Sequence, residues 1–548
     1  MVRLALGLLP LAVTASRVAA AQRPDSVSVA RIDAVFSRFT TTSPGCALNV
    51  QQGGKPAYLR GYGLASLELG VPISTRTVFD IGSTSKQFTA ASVALLALDG
   101  KLSLDDDIRK YVPELPDLGA KVTLRHLLTH TSGWRDYIDL MVFEGWDFRD
   151  HTTDRDALTT LGRQRALNFA PGTDYRYSNT GYFLLSLVVQ RVAGQSLAQF
   201  ARERIFEPLG MHDTHYLTDA SEVIPTKATA YTHPGPRAWR IEMSNWEQIG
   251  DGGVQSTVED LALWDANLTS GVVGGRPLRE LLTTPGRLND GTALTYALGL
   301  NVDEYHGLRR VWHGGAWAGY RTMLMRFPSE GLSILLACNV DDAYVTLFTT
   351  RVADVLLPRP VAAGAVQSPA AEGAGSSARQ PDADPTRFAG IYFDRRVGDV
   401  VRLVADGGNL DVAGRGKPFL ALGGPQFRDT AMASELRFDD ANGGTMISRR
   451  QSLPPITYVR VAPSDTTHLS EYAGTYLSSE AAAEWTIVVR NGALVLKPRR
   501  GEDDTLRPLF RDAFAGQVVL RFERDSTGRV IALTATSLGV QELRFTRR

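Results

Sequence analysis

Short strings near the C-terminus recur at one fixed spacing, and that spacing predicts a chain built from separate folding units. Phe388-Ala389-Gly390-Ile391-Tyr392 returns 84 residues on as Tyr472-Ala473-Gly474-Thr475-Tyr476. Leu436-Arg437-Phe438 returns as Leu520-Arg521-Phe522, and Val459-Arg460-Val461 as Leu543-Arg544-Phe545, at the same spacing. Three matches at one offset predict two copies of one unit, residues 386–463 and 467–548. Each copy contains about eight short alternating runs broken by Gly, Asp or Asn, the texture of a small antiparallel barrel. Neither copy clusters His, Cys or paired acids, so the expected role is structural, or the shaping or covering of an active-site mouth. Before them, residues 361–385 are rich in small residues and Pro, and read as a flexible linker.

Residues 25–360 have a different texture, with helical and strand patterns alternating. Lys86–Leu98 has apolar spacing suited to a helix that Gly100 closes, and a helix opened by Thr123 is expected to end at Gly133. Ser256 with Glu259 reads as a capping box before Leu261, Leu263 and Trp264. Strand-like runs lie at Arg310–His313, Tyr320–Phe327 and Leu332–Val340, and another at Cys46–Gln51 near the start. This order predicts one sheet assembled from both ends of the domain, with helices inserted between.

Met1-Val2-Arg3, the apolar run Leu4–Ala15 and the small residues Val18–Ala21 have the order of a secretory signal peptide, residues 1–21. The apolar run falls short of the roughly 20 residues that span a bilayer, so the expected product is periplasmic or secreted, without a membrane span once the signal is removed. The two cysteines, Cys46 and Cys338, lie in apolar stretches and read as buried free thiols; a single bridge is the alternative if their strands are neighbours. With a formal net charge of zero, no phosphate-tracking surface is expected, and nucleic acid is not an expected partner. His126, His130 and His151 form no metal-ligand spacing, and no cofactor or metal is expected.

Three strings carry chemistry. In Ile81-Gly82-Ser83-Thr84-Ser85-Lys86, the serine and lysine are three apart at a helix start, so both can face one cleft. A serine hydroxyl needs a base, and a lysine neutralised by burial can serve. The helix start adds N–H groups and positive potential for a developing oxyanion. In Tyr177-Ser178-Asn179, set between turns, a tyrosine beside an ammonium should lose its proton more easily, and Asn179 offers a donor and an acceptor to a substrate amide. In Trp312-His313-Gly314-Gly315-Ala316, the two glycines are expected to let a substrate backbone approach the strand. The Ala316 N–H would then complete an oxyanion hole with the Ser83 N–H.

In order and separation these strings resemble the penicillin-recognising serine hydrolases: class C β-lactamases, DD-peptidases, related esterases and D-aminopeptidases. The resemblance spans about Asp25 to Leu357 and includes Leu127–Gly133 and Gly250–Val254. It implies a multidomain protein. An α/β, β-lactamase/transpeptidase-like catalytic domain (antiparallel sheet with helices on both sides) precedes two small antiparallel β-barrels, lipocalin-like as in D-aminopeptidases. It implies that Ser83 is acylated, that Lys86 and Tyr177 share base and acid duty, that Asn179 positions substrate, and that His313 fills the third-motif position.

That position departs from the Lys-Thr-Gly or Lys-Ser-Gly usual in β-lactamases and DD-peptidases. An imidazole with pKa about 6.5 is mostly neutral at pH 7, so a weaker substrate-carboxylate anchor is expected; His313 could still orient Tyr177 or the leaving group. The His-Gly-Gly motif, the paired barrels, Gly133–Tyr137 and Trp246–Asp251 resemble D-aminopeptidases. Such an enzyme must hold a substrate ammonium, for which Asp136 and Asp251 are candidates. The expected activity is hydrolysis of D-amino-acid-containing peptides or amides. Esterase or class C-type β-lactamase activity is the alternative within hydrolases, and a non-hydrolytic penicillin- or peptidoglycan-binding protein the alternative outside them. Expected partners are a small peptide, amide or ester, with peptidoglycan fragments as one source.

Overall fold

A computed structural model describes residues 24–357 and 384–548, apart from 236–237, 397, 407, 414–418, 430–433, 440–442, 451–454 and 465–466. The signal-peptide reading of 1–21 and nearly all of the linker reading of 361–385 lie outside the described residues. Among the described residues no helix is long and apolar enough to cross a membrane.

The catalytic-domain sheet has six antiparallel strands: β1 (Cys46–Gln52), β2 (Lys55–Tyr62), β3 (Asn301–Tyr305), β4 (Leu308–Trp317), β5 (Tyr320–Phe327) and β6 (Leu332–Cys338). Their order is β3-β4-β5-β6-β1-β2, so the first and last parts of the domain meet at the β6–β1 pair. β6 is buried along its whole length. Its alternation serves two cores, as a strand covered on both faces requires. Ile334, Leu336 and Cys338 face α1 (Ser26–Val35) and α6 (Val345–Leu356), beside Phe36 and Phe348. Leu335 and Ala337 face a second core that holds α2 (Lys86–Leu98), α4 (Asn179–Ala193) and α5 (Val258–Ser270). From Lys86 to Leu96 every residue of α2 is buried, which makes it the central helix of that layer.

Three expectations need correction here. The cysteines are not free: Cys46 and Cys338 face each other across the β1–β6 pair and form a disulfide. Register decides this, because each residue alone reads as a core apolar position. The cap of α5 is Thr257, whose hydroxyl accepts the Asp260 N–H at 3.0 Å, not Ser256. Ser256 ends a short strand paired to Phe79, and Glu259 accepts from the Thr75 hydroxyl at 2.5 Å instead of closing a capping box. The helix opened by Thr123 covers only Leu124–Leu128.

Two eight-stranded units follow, with strands from Gly390 to Val461 and from Gly474 to Arg547. The second is a closed barrel; in the first, a Leu410–Phe419 bridge links the outer strands. The repeat has a shared physical device. Tyr392 donates to the Phe388 carbonyl at 2.9 Å, and Tyr476 to the Tyr472 carbonyl at 2.8 Å. The third repeated string is misaligned, however. Tyr392 pairs with Arg460, and its counterpart Tyr476 pairs with Arg547, so Arg547 and not Arg544 is the equivalent of Arg460.

The second barrel shares one continuous core with the catalytic domain. Phe143, on α3 (Tyr137–Glu144), packs edge-on against Trp485 at 5.4 Å, and its carbonyl accepts the Trp485 indole N–H at 3.2 Å. Arg135 and Glu480 form a largely buried ion pair at 2.7 Å. The first barrel contacts the second through Phe393 and Phe510, 4.9 Å apart, and the catalytic domain through Arg396 and Asp174.

Candidate active site

Phe79 and Asp80 pair with Val254–Ser256, and this small sheet delivers the chain to the helix start. One Asp80 carboxylate oxygen accepts the Gly82 N–H and the other the Gln255 amide, each at 2.8 Å. Gly82 has φ +50°, and a Cβ there would lie 2.8 Å from the Ala316 nitrogen. Only glycine meets both conditions. A tight turn over Gly82–Ser85 then runs into α2. Its other residues are buried and Ser83 is partly exposed, so one hydroxyl is offered to the cleft.

Lys86 is fully buried. Its Nζ donates to Ser83 Oγ at 3.1 Å, to Asn179 Oδ1 at 2.8 Å and to the Asp251 carbonyl at 2.6 Å. Burial pulls its pKa down to about 8, against the opposing charges of Asp251 and Asp136. The ammonium lies 4.9 Å from the centre of the Tyr177 ring. Tyr177 itself is pushed well above the ordinary phenol range, chiefly by burial, although the Ser83 hydroxyl pulls the other way. Its hydroxyl is buried, and among the described residues none but Ser83 acts on it as a hydrogen-bonding group. The expectation of an easily ionised tyrosine is therefore corrected: desolvation of a phenolate outweighs the nearby cation, and the group whose pKa is brought down toward neutral pH is the lysine.

Asn179 opens α4, and its N–H donates to the Asp136 carboxylate. His130, from the Leu127–Gly133 string, accepts the Ser178 N–H at 3.2 Å and packs its ring 4.3 Å from that of Tyr177. This holds the Tyr177–Asn179 loop in place.

The third motif sits differently from expectation. His313 is buried and is not among the residues lining the cleft. Its Nδ1–H donates to the Gly314 carbonyl at 2.7 Å, and its Nε2 accepts from the Tyr296 hydroxyl at 3.0 Å. Burial, helped by the Lys86 charge, lowers its pKa to about 3, so the ring is neutral. It packs 6.2 Å from the Tyr177 ring, ring centre to ring centre. Gly315 is also needed for a reason other than substrate approach. A Cβ there would lie 1.9 Å from the Ile81 carbonyl oxygen and 2.4 Å from Thr322 Oγ1, so the close approach is that of the loop that carries Ser83. Thr322 ties the two together by donating to the Ile81 carbonyl at 2.7 Å. At Gly314 the nearest atom to a Cβ would be the end of the Met323 side chain, at 3.2 Å, with the Thr322 carbonyl oxygen at an ordinary 3.6 Å.

The cleft, of about 630 Å³, is lined by Ser83, Tyr177, Asn179, Asp251 and Ala316 among others. Asp251 accepts from the Tyr137 hydroxyl at 3.2 Å, and burial raises its pKa to about 6. Asp136 does not line the cleft. It caps α3, accepting the Ile138 N–H at 3.0 Å, and its pKa rises to about 7 through burial first and Asp139 next. As an ammonium ligand it is misplaced.

Several lining residues were not singled out from the sequence. Tyr137, Phe148, Trp246 and Trp317 form an aromatic wall, with Phe148 5.3 Å from Trp246 and 5.0 Å from Trp317. Tyr137 and Trp246 stand in strings noted above, and Trp317 follows Ala316 directly. Nothing local marks Phe148 or Tyr296. Among the described residues no group of three or more His, Cys, Asp or Glu converges as a metal site would require.

Comparison with known proteins accords with this geometry. The Beta-lactamase family model matches residues 32–356. A penicillin-binding protein of Bacillus subtilis is 31% identical over 306 residues, covering 53% of this chain and 67% of that protein. A D-aminopeptidase of Brucella anthropi is 27% identical over 513 residues, covering 90% of this chain and 93% of its own length. Among solved structures, an octameric penicillin-binding protein homologue from Pyrococcus abyssi superposes with a TM-score of 0.53 at 22% identity, over 79% of this chain and 98% of that one. A D-amino acid amidase from Ochrobactrum anthropi superposes with a TM-score of 0.50 at 22% identity, over 60% and 98%. These structural likenesses speak for the fold.

Proposed function

The chain belongs to the beta-lactamase family as a serine hydrolase, and from that premise we propose that it is an exported peptidase or amidase acting on small substrates whose acyl part is a D-amino acid. The observation that carries the proposal is the lysine amine 3.1 Å from the Ser83 hydroxyl at the floor of an open cleft. Neutral Lys86 takes the Ser83 proton as Oγ attacks the substrate carbonyl. The Ser83 and Ala316 N–H groups hold the oxyanion. The proton then passes to the leaving amine, helped by Tyr177, which remains a protonated phenol in the resting enzyme. Water, activated by the same amine, frees the acid from the acyl-enzyme.

Two features favour an amine-bearing substrate over a carboxylate-bearing one. His313 is neutral and lies outside the cleft, so the third motif supplies no cation to it. Asp80, Glu242, Asp251 and Asp341 line the cleft beside Lys227 and Arg321, so acids outnumber bases there and a carboxylate is at hand for an ammonium. The D-aminopeptidase relatives match along nearly the whole chain, barrels included. Export is supported by the apolar leader pattern of residues 1–21 and by the Cys46–Cys338 disulfide, a bond that persists in oxidising compartments. Peptidoglycan fragments rich in D-residues would be met there.

The test is a panel of D- and L-aminoacyl p-nitroanilides, p-nitrophenyl esters and a chromogenic cephalosporin, run on the parent and on Ser83→Ala. Turnover of D-anilides that Ser83→Ala abolishes is expected, with L-anilides and cephalosporin slow. Cephalosporin opening faster than D-anilide cleavage would sink the substrate assignment.

The aromatic wall predicts a preference within that class. A bulky apolar side chain on the acyl residue would pack on Trp317 and Phe148. Trp317→Ala should cut kcat/KM for a D-phenylalanyl anilide by roughly 10- to 100-fold, the range expected for losing one large apolar contact. The D-alanyl anilide should change little.

A further inference from the structure

A continuous path of hydrogen bonds joins the second barrel to the nucleophile. It begins at the turn Ser537–Gly539, between two barrel strands. The Gly539 carbonyl accepts the Asp136 N–H at 3.0 Å and the Asn168 side-chain amide at 2.9 Å. In return Asp139 accepts from the Gly539 N–H at 2.9 Å and from the Ser537 hydroxyl at 2.5 Å. Asp136 passes the constraint on: its carboxylate accepts the Asn179 N–H at the head of α4. Asn179 Oδ1 in turn receives the Lys86 ammonium, which reaches Ser83. The joint has no slack. A Cβ on Gly539 would lie 2.2 Å from the Asp136 Cβ and 2.9 Å from Asp139 Oδ2. One residue before Asp136, the buried Arg135–Glu480 ion pair pins the same segment to the barrel.

We propose that the second barrel is a working part of the active site, and that Gly539 and Asp136 are positioning residues that set where Asn179 and Lys86 stand relative to Ser83. This rests on the hydrolase reading above. Burial of that carboxylate is consistent with a relay: its charge is one of the two that hold the Lys86 pKa up. Asp139, Asp251 and Lys86 are the charged groups acting on it.

The experiment uses the full chain. Gly539→Val wedges the joint, whereas Leu538→Ser alters the same turn at a side chain that is 80% exposed. Measured for each variant are the rate of fluorophosphonate labelling at Ser83, kcat and KM on a p-nitrophenyl ester, the midpoint of the kcat/KM–pH profile, and the melting temperature. Gly539→Val should label and turn over at least about tenfold more slowly, with KM within twofold and a displaced pH midpoint. Leu538→Ser should match the parent. If one relay carries both effects, adding Gly539→Val to Asp136→Asn should cost little beyond Asp136→Asn alone. A Gly539→Val protein that labels at the parental rate with an unmoved midpoint overturns the proposal. So does a loss of rate equal to the loss of folded protein, or full multiplicative addition of the two substitutions. A parent protein that the probe does not label at Ser83 overturns the hydrolase reading itself.

Discussion

Replacing Lys86 with methionine should lower kcat/KM by three orders of magnitude or more on every substrate the parent turns over. General-base help alone is worth about 10²–10⁴-fold, and Lys86 also holds Asn179 Oδ1 and the Asp251 carbonyl in place. The same side chain is shared by base, acid and scaffold, so its loss cannot be offset by Tyr177, whose proton is held more tightly than a free phenol's. Methionine is close in size and apolar, which suits a site that is fully buried. Its cost is the three acceptors that lose their donor, Asn179 Oδ1 and the Asp251 carbonyl at roughly 1–3 kcal/mol each and the partly exposed Ser83 hydroxyl at less, and a thermal melt checks that folding survives. The parent carries the companion test. With its pKa lowered to about 8, Lys86 is about 10% neutral at pH 7 and about 90% neutral at pH 9. On an ester with no titrating group, kcat/KM should rise nearly tenfold across that interval and level off above it. A profile flat between pH 7 and 9 would show that the free amine is not the base.

Gly315→Val should remove most activity while its neighbour Gly314→Ala leaves most of it. The added Cβ at Gly315 meets two groups that cannot step aside cheaply, the Ile81 backbone carbonyl at 1.9 Å and Thr322 Oγ1 at 2.4 Å. Ile81 immediately precedes the Gly82–Ser85 turn, and Thr322 is the link from strand to loop. Relief of the clash must move β4 away from the nucleophile, which separates the Ser83 and Ala316 N–H groups. Loss of one oxyanion donor costs about 10²–10³-fold in kcat, so a fall of that size is expected, with overpacking costing about 1–3 kcal/mol of stability. At Gly314 the one close contact of the added methyl is the tip of a methionine, the most adaptable apolar side chain, and the Thr322 carbonyl lies at ordinary contact distance. Equal losses in the two variants would mean that general fragility of the strand, not the approach of the serine loop, explains the glycine.

The residues that meet at the cleft were recognisable as Ser83, Lys86, Tyr177 and Asn179 because each stands in a short string whose spacing already implies its chemistry. Their protonation was not recognisable. Tyr177 read as an activated base because an ammonium was expected nearby; the ammonium is there, 4.9 Å from the ring, but burial acts on the phenol more strongly. Asp136 illustrates the same gap. An acidic residue in a promising string looked like an ammonium ligand, and it is instead a helix cap and the link between barrel and nucleophile.

The order of residues along the chain determined the helix periods, the strand runs, the repeat and the motif spacings, because these depend on neighbours within a few positions or on direct recurrence of a string. Register across the sheet decided the Cys46–Cys338 bond, the docking of a barrel turn decided the role of Asp136, and enclosure decided which group carries a proton. Pairing between segments hundreds of residues apart and the desolvation of a charge are properties of surroundings, and surroundings exist only once the whole chain has folded around them.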